Sequence, residues 1–564
     1  MNKFAPYILS FFIAGCSNSY NPAVVSARKE ASDIGVEIMK KGGNAFDAMI
    51  AVHLALAVVY PIAGNIGGGG FIVYHTSKGE IGSLDFREKA PGNAFKDMYL
   101  DKKGEVINGL STLGGLAVGI PGSISGIFDV YEKFGTLPIE DLFQPAINLA
   151  KNGFIVTKNQ EENLKEKIEE IISINGNESL FSKVYSEGDT IINKRLAESL
   201  TAISKNGRKE FYEGPIAEMI VDEVIKSGGI ITMDDLKNYK SIWRDPVKFN
   251  YKDLEIISMS LPSSGGILLG QMLRAIENYN IGQFGHNSSK SIQLMVEAER
   301  RAYADRSYFM GDPDFGDDLP VYELIDKDYV KSRMESFSWE KATPSNELSH
   351  GEINLKESDQ TTHYSIIDSD GNSVSVTTTL NTNYGSKVFV EEGGFFLNNE
   401  MDDFSSKPGY PNTFGLIGSQ ANSIEGNKRM LSSMTPTIVL KDGKPSLILG
   451  TPGGSTIITS VFQTILNVYE FGMPIKEAVA APRFHHQWLP DAVIFEDGIL
   501  DKAKDSVLKS KNYILVPLPI SIQTSGMSPR SSIGRVDAIY INDKGKVEGG
   551  ADPRGDDHAT ILNK

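Results

Sequence analysis

Two stretches rich in β-branched and aromatic residues flank an Asp-Gly pair in the second half of the chain. Residues 361–368 read Thr-Thr-His-Tyr-Ser-Ile-Ile-Asp, and residues 373–381 read Ser-Val-Ser-Val-Thr-Thr-Thr-Leu-Asn. Stretches of this composition predict β-strands, and the pair Asp370-Gly371 between them is typical of a tight hairpin turn. The chain is therefore expected to build a sheet around this hairpin.

The register of this hairpin brings polar side chains together at its open end. With only the Asp-Gly pair in the turn, Thr361 is expected opposite Leu380, and Thr379 and Asn381 flank that position. A threonine hydroxyl needs a base to become a nucleophile, and the threonine's own α-amine can serve once the preceding peptide bond is cut. That amine titrates near pH 7.7–8.0, so it can be neutral at working pH. The pattern fits an N-terminal nucleophile or a purely structural hairpin.

Length and charge limit the classes of protein to consider. At 564 residues the chain exceeds the usual size of a single core, which indicates several domains or one large layered domain. A net charge of -16 and a pI near 5.1 argue against binding to a phosphate backbone. No nucleic-acid partner is expected.

The first sixteen residues have the pattern of an export signal. Lys3 precedes an apolar run from Phe4 to Ala14, which is too short to span a membrane. Gly15 and then Cys16 follow, and a cysteine after two small residues resembles the lipobox of bacterial lipoproteins. We expect an exported protein on the periplasmic or cell-surface side, lipid-anchored at Cys16 to a bacterial membrane. The alternative is an ordinary signal peptide that is cleaved away together with this cysteine.

Helical periodicity dominates the next part of the chain. A helix is predicted from Ala23 to Lys40, and Asn44 is a plausible N-cap for a second helix that ends at Val59. The run Gly67–Gly70 has the composition of a phosphate cradle, but it lacks both nucleotide-binding spacings, so close backbone packing is the better interpretation. Other predicted helices are 139–152, 216–227, 289–308 and 455–469, and other predicted strands are 71–75, 80–86, 435–440, 445–450, 536–541 and 546–549.

Two further features suggest binding chemistry. Arg87 follows the strand ending at Phe86, where its guanidinium could hold a carboxylate, although a surface ion pair is the plain alternative. Gly453-Gly454 lies at a strand-to-helix turn, which leaves backbone N–H groups free to bind an oxyanion. Four predicted hairpins with helices before and between them indicate two stacked antiparallel sheets covered by helices.

Taken together, these segments resemble the bacterial γ-glutamyltransferases (glutathione hydrolases), which belong to the N-terminal nucleophile hydrolases. The resemblance extends over nearly the whole chain after the signal. It is carried by residues 42–45, 67–70, 85–88, 361–365, 379–381, 398–404, 431–436 and 452–455. It implies an α+β fold, a four-layer αββα sandwich, and self-cleavage into a large subunit (17–360) and a small catalytic subunit (361–564) that remain together as a heterodimer.

The resemblance also implies a role for each matching residue. Thr361 would be the nucleophile, Thr379 would hydrogen-bond to it, and Gly453 and Gly454 would form the oxyanion hole. Arg87, Ser432 and Ser433 would hold the α-carboxylate of a γ-glutamyl group, and Asn381, Glu400 and Asp403 its α-ammonium. Phe414 lies in the expected lid loop, where many bacterial members carry a tyrosine. The implied substrates are glutathione and other γ-glutamyl compounds, with no cofactor and no metal.

Three rival classes have weaker support. Ser-x-x-Lys hydrolases match at Ser26, Ser338 and Ser506, but without companion motifs. A cephalosporin-type acylase could share the fold, although a substrate without an α-ammonium would leave Asp403 unpaired. A non-catalytic surface lipoprotein would have no use for a complete set of nucleophile, second hydroxyl and glycine pair.

Overall fold

A computed structural model describes residues 19–316, 319–348, 360–407, 420–519 and 532–563. Cys16 and Phe414 lie outside these ranges. Within them, helices and strands are arranged in four layers, and the two middle layers are antiparallel sheets. No helix in the described part of the chain is both long enough and apolar enough to cross a membrane.

The first middle layer is a sheet of seven described strands with the predicted hairpin at its centre. In spatial order the strands are His558–Ile561, Ala23–Ser26, Gln360–Ile367, Ser373–Asn381, Gly69–His75, Ile81–Asp85 and Ile242–Arg244. Every residue of Ser373–Asn381 is buried, because this strand has neighbours on both edges and a layer on each face.

The second middle layer is a sheet of six described strands. In spatial order these are Val547–Gly550, Asp537–Ile541, Lys444–Gly450, Thr437–Lys441, Leu254–Ser258 and Val247–Tyr251. Shorter pieces of strand are Phe154–Ile155, Thr190–Ile191, Phe389–Val390, Phe395–Phe396, Phe484–His485, Val493–Phe495 and Leu515–Pro517.

Helices cover the outer face of each sheet. On the seven-stranded sheet lie Lys29–Lys40, Ala45–Val59, Ser123–Phe134, Ile139–Asn152, Lys158–Asn175, Lys194–Asn206, Arg208–Tyr212, Pro215–Lys226 and Met233–Lys237. On the six-stranded sheet lie Gly265–Ile276, Ser289–Phe309, Val321–Leu324, Lys327–Met334, Thr456–Tyr469, Ile475–Ala480 and Lys502–Ser510. Ala45–Val59 is buried along its whole length, and Asn44 caps it as predicted in a capping box with Asp47.

Alternation along the strands divides the core into three layers. Ile366 packs against the helices on the seven-stranded sheet, whereas its neighbour Ile367 faces the other sheet. In the six-stranded sheet Leu449 faces helices and Ile448 faces the interior between the sheets. This pattern confirms the predicted αββα sandwich.

Three sequence predictions were wrong in detail. Ala23–Ser26 is a strand rather than the first turn of a helix, because its β-branched residues pair with Gln360–Ile367 on one side and His558–Ile561 on the other. The hairpin Val247–Tyr251 with Leu254–Ser258 was missed in a region predicted to be mostly helical. The register of the central hairpin is shifted by one residue.

The shift in register comes from the turn. The amide of Asp368 donates to Asn372 O (3.1 Å), so three residues rather than two form the loop. Gly371 occupies its last position with φ +91°, a left-handed conformation that glycine adopts without a steric penalty. Thr361 therefore lies opposite Thr379 instead of Leu380.

All the long hairpins turn at the same end of the sandwich. Ile81 pairs with His75, His75 with Ser373, and the turn before Lys444 lies beside Gly371. Thr361 lies at the other end of its strand, about 20 Å away at 3.3 Å per residue. We call these the turn end and the threonine end.

Candidate active site

Thr361 and Thr379 form the centre of the threonine end. Their positions are directly opposite in the hairpin, so both side chains point into the space between the two sheets, and both residues are buried. Pairing is irregular just beyond them, where Asn381 pairs with Gln360 and Leu380 is left out as a bulge. The backbone of Asn381 is in the left-handed conformation (φ +74°), and its main-chain N–H donates to Thr379 Oγ1 at 2.7 Å. The peptide bond before Thr361 thus lies where the ladder changes register.

A buried asparagine supports this end of the hairpin from the helix side. Asn65 Nδ2 donates to Thr379 O (2.9 Å), and its Oδ1 accepts from Gly68 N (2.9 Å) and Ser123 Oγ (2.7 Å). A Cβ at Gly68 would lie 2.0 Å from Thr379 O. The glycine run therefore permits close packing of backbone against the hairpin, as the sequence suggested.

Four charged side chains, which we call the clamp, lie close together near this end: Arg87, Glu88, Glu400 and Asp403. Arg87 and Glu88 follow the strand Ile81–Asp85, which is separated from Ser373–Asn381 by the strand Gly69–His75. Arg87 is fully buried, and its two terminal nitrogens donate to Glu400 Oε1 and Asp403 Oδ2. Glu88 is also buried, with Oε2 3.6 Å from Arg87 Nη1. A Cβ at Gly69, which pairs with Thr379, would lie 2.7 Å from Glu88 Oε2. The clamp therefore borders the threonine pair.

The clamp holds more negative than positive charge. One guanidinium serves three carboxylates, and neither oxygen of Glu88 accepts a hydrogen bond from another described residue. Burial raises the pKa of Glu88 and of Glu400, and the neighbouring Arg87 charge offsets only part of that rise. A ligand that brings its own cation to these acids would relieve the imbalance.

Hydroxyl and amide groups complete the surroundings of the clamp. Arg87 Nη2 donates to Leu431 O (3.3 Å), and Ser432 and Ser433 are the next two residues of the chain. The Ser433 hydroxyl is buried and forms no hydrogen bond with the described residues. Asn381 lies near Glu400, because its Nδ2 donates to the backbone carbonyl of Asn399 (2.9 Å), the residue before Glu400.

The predicted glycine pair also lies at the threonine end. The strand Lys444–Gly450 leads into it, and Gly453 (φ +134°) and Gly454 (φ +54°) precede the helix Thr456–Tyr469. The carbonyls of these glycines accept the first helical hydrogen bonds, from Thr456 N and Ile457 N at 3.0 Å each. The loop thus forms the start of a helix at the same end of the sandwich as Thr361, which is the position expected of an anion-binding turn.

The structure brings together nearly all the residues that the sequence suggested. Thr361, Thr379 and Asn381 form one group, and Arg87, Glu400 and Asp403 form another with Ser432 and Ser433 beside it. Sequence reasoning missed Glu88 and Asn65. Glu88 follows Arg87 directly, where an acid is equally typical of a surface ion pair, and a buried amide such as Asn65 has no sequence signal of its own.

Comparisons with known proteins agree with this geometry. The sequence profile of the gamma-glutamyltranspeptidase family matches residues 31–562. The glutathione hydrolase proenzyme of Escherichia coli strain K12 is 44% identical over 95% of this chain and 91% of its own length. That of Bacillus subtilis strain 168 is 36% identical over 96% and 91%.

Solved structures give the same picture. Helicobacter pylori gamma-glutamyltranspeptidase is 44% identical, with a TM-score of 0.57 over 60% of this chain and 98% of that chain. A cephalosporin acylase from Bacillus halodurans superposes with a TM-score of 0.82 over 100% and 99%, but at 20% identity this likeness concerns the fold alone.

The clamp predicts a stability defect with a particular pH dependence. Arg87→Met should lower the free energy of unfolding by about 3–5 kcal/mol at pH 8, because it leaves buried carboxylates without a cation. The loss should shrink toward pH 5, since these acids then take up protons in the folded state and their burial no longer costs a charge. Thermal unfolding at both pH values measures this. Arg195→Met, which removes an exposed ion pair, should cost less than about 1 kcal/mol at either pH.

Proposed function

Because the chain belongs to the γ-glutamyltranspeptidase family, we propose that it cleaves the γ-glutamyl amide bond of glutathione and related compounds and transfers the γ-glutamyl group to water, an amino acid or a peptide. The observation that carries this proposal is the clamp. A buried guanidinium and buried acids lie beside two opposed threonines at one strand end. These residues match a substrate that carries a carboxylate and an ammonium group at one end and has its amide carbonyl a few carbon atoms away from that end.

The clamp would bind the head of the substrate by exchanging ion pairs. Arg87 forms ion pairs with Glu400 and Asp403. The α-carboxylate of the substrate would replace the two acids as the ion-pair partner of Arg87 and would also bind Ser432 and Ser433. The α-ammonium would then form ion pairs with Glu400 and Asp403 and bind Asn381. Each buried charge keeps a partner throughout, so binding avoids most of the desolvation cost of an isolated charge.

The threonine pair would then perform acyl transfer. The Thr361 hydroxyl attacks the γ-carbonyl carbon while the α-amine of the same residue takes its proton. The C–N bond breaks, the leaving amine takes up that proton, and a γ-glutamyl ester forms on Thr361. Water or an acceptor amine then attacks the ester and restores the hydroxyl. Backbone N–H groups at Gly453 and Gly454 would stabilise the oxyanion of both steps.

The same hydroxyl would mature the enzyme. In the uncut chain Gln360 and Thr361 belong to one strand, so Thr361 has no free amine. Attack of its hydroxyl on the Gln360 carbonyl would break the C–N bond between Gln360 and Thr361, which forms an ester on the hydroxyl oxygen and frees the α-amine. Water would then hydrolyse that ester, giving the carboxylate of Gln360 and restoring the Thr361 hydroxyl. The products would be a large subunit, 17–360, and a small subunit, 361–564, held together by the shared sheet.

This scheme makes maturation and turnover depend on one oxygen atom. Thr361→Ala should remain a single inactive chain, whereas Thr361→Ser keeps a hydroxyl and should still cleave, at a lower rate. On a denaturing gel the wild-type protein should yield a fragment of about 22 kDa, since residues 361–564 are about a third of a 61.6 kDa chain. N-terminal sequencing of that fragment should begin Thr-Thr-His-Tyr. Activity in an uncut chain would refute the scheme.

Substitutions in the clamp, together with a substrate that lacks the α-ammonium, separate γ-glutamyl transfer from acylase activity. Asp403→Asn should cost about 2–5 kcal/mol in kcat/KM for a γ-glutamyl anilide, the range for breaking a desolvated charge pair. Arg87→Lys should also lower kcat/KM, because an ammonium cannot form the two-pronged contact that a guanidinium can make with the α-carboxylate of the substrate. A glutaryl amide lacks the α-ammonium and should be a poor substrate of the wild-type enzyme. Equal turnover of both compounds would favour the acylase class.

We also propose export and lipid anchoring at Cys16, on the basis of the signal pattern in residues 1–16. Tyr20, four residues later, is at the turn end, where its amide donates to Ser369 O (3.0 Å). An anchor at this position would leave the threonine end facing away from the membrane. More than one acyl chain on the cysteine would hold the protein firmly.

Cell fractionation tests the anchor. Cys16→Ala should move the enzyme from the membrane fraction to the soluble fraction without changing its specific activity, because Tyr20, a nearby residue that the structure describes, lies at the turn end. Retention of Cys16→Ala in the membrane fraction would contradict the proposal.

A further inference from the structure

The space between the two sheets contains a polar group directly behind Thr361. His363 lies two residues further along the same face of the strand and is fully buried. Thr377 is its cross-strand partner, and Ser365 follows it on the same face. The surrounding interior between the sheets is apolar, so these side chains must satisfy one another.

The hydrogen bonds of this group fix the protonation of His363. Ser365 Oγ donates to main-chain carbonyls of the six-stranded sheet, Ile448 O and Asp537 O, both at 3.2 Å. Because that hydroxyl proton is committed, His363 Nε2 must be the donor to Ser365 Oγ (3.0 Å). His363 Nδ1 then accepts from Thr377 Oγ1 (2.9 Å). Burial lowers the pKa of His363 to about 3, so the ring is neutral at working pH.

These contacts tie the nucleophile hairpin to two neighbouring strands of the other sheet, Lys444–Gly450 and Asp537–Ile541. Ser375 Oγ donates to Leu449 O (3.0 Å), next to the Ser365 contact with Ile448 O. Because serine side chains are small, the two sheets come close enough here for the hairpin hydroxyls to bond directly to the backbone of the opposite sheet. Elsewhere large apolar side chains from both sheets lie between them. The contacts with Ile448 and Leu449 involve the last residues of Lys444–Gly450, just before the glycine pair, and the contact with Asp537 involves the neighbouring strand.

Gly450 shows how closely the two elements fit. A Cβ at this position would lie 2.4 Å from His363 Nδ1 and 2.5 Å from Cε1. The imidazole therefore rests on the bare backbone of Gly450, three residues before Gly453. Any change in the volume of either partner must move the nucleophile strand, the oxyanion loop or both.

We propose that His363 is a positioning residue whose neutral ring, seated on Gly450, sets the distance between Thr361 and the N–H groups of Gly453 and Gly454. The inference rests on the roles proposed above for these three residues. His363 does not touch the substrate and exchanges no proton with it. Its effect is geometric, and it acts in self-cleavage as well as in turnover, because both steps need the same alignment.

Complementary changes of volume test this fit. Gly450→Ala should lower kcat and kcat/KM together by roughly ten- to a hundredfold, the effect of displacing reacting groups by up to about 1 Å, and should slow self-cleavage. His363→Ser should also be slow. The double variant Gly450→Ala/His363→Ser should be faster than Gly450→Ala alone, because the new methyl group occupies space that the ring has left.

Two controls separate positioning from loss of stability. Gly549→Ala creates a similar overlap in the same sheet, 2.5 Å from Ala559 Cβ, and should leave the kcat of folded enzyme near the wild-type value. His363→Gln keeps an acceptor and a donor, so it should retain more activity than His363→Ser and the same pH limbs of kcat/KM as the wild type.

Three results would overturn the proposal: a double variant no faster than Gly450→Ala, loss of the acidic limb in His363→Gln, or an equal loss of kcat in Gly549→Ala. Failure of the proposed function would look different. The wild-type enzyme would then not release glutamate from a γ-glutamyl anilide, whatever residue stood at position 363.

Discussion

The structure depends on strand pairing that must survive the cutting of its own chain. Gln360–Ile367 is bonded on one edge to Ser373–Asn381 and on the other to Ala23–Ser26, and it lies near the centre of a seven-stranded sheet. The proposed cut before Thr361 would remove one covalent bond from an element held by two ladders. The new terminus would therefore stay in place, and the strand end would become an amine and a hydroxyl fixed in a buried position.

The buried charges of the clamp are unfavourable for the stability of the fold. Three carboxylates and one guanidinium lie almost entirely out of water, and well-packed apolar residues would often be at least as stable there. Such a cluster is better explained by a ligand with both charges than by stability. Among the described residues, the buried hydroxyl of Ser433 and the two carboxylate oxygens of Glu88 have no hydrogen-bond partner, which supports the same conclusion.

The sequence predicted what local patterns determine. The capped helix after Asn44, the helix Ile139–Asn152 and the central hairpin were predicted because caps, periodicity and turn residues act over a few positions. The prediction of a helix at Ala23–Ser26 was wrong because strand pairing with residues more than 300 positions away outweighed the helical spacing of the apolar residues. The one-residue slip arose because an Asp-Gly pair fits both two- and three-residue turns. The direct pairing of Arg87 with Glu400, 313 positions apart, has no local signal at all.

The proposed mechanism requires that the hydroxyl oxygen of Thr361 is the nucleophile. Turnover of a γ-glutamyl anilide can be quenched with acid and the small subunit examined by intact mass and fragmentation. We predict a species heavier by one γ-glutamyl group, with the group on the hydroxyl oxygen of Thr361 and a free α-amine on the same residue. A γ-glutamyl group on any other residue, or on a chain still joined at Gln360, would contradict the account.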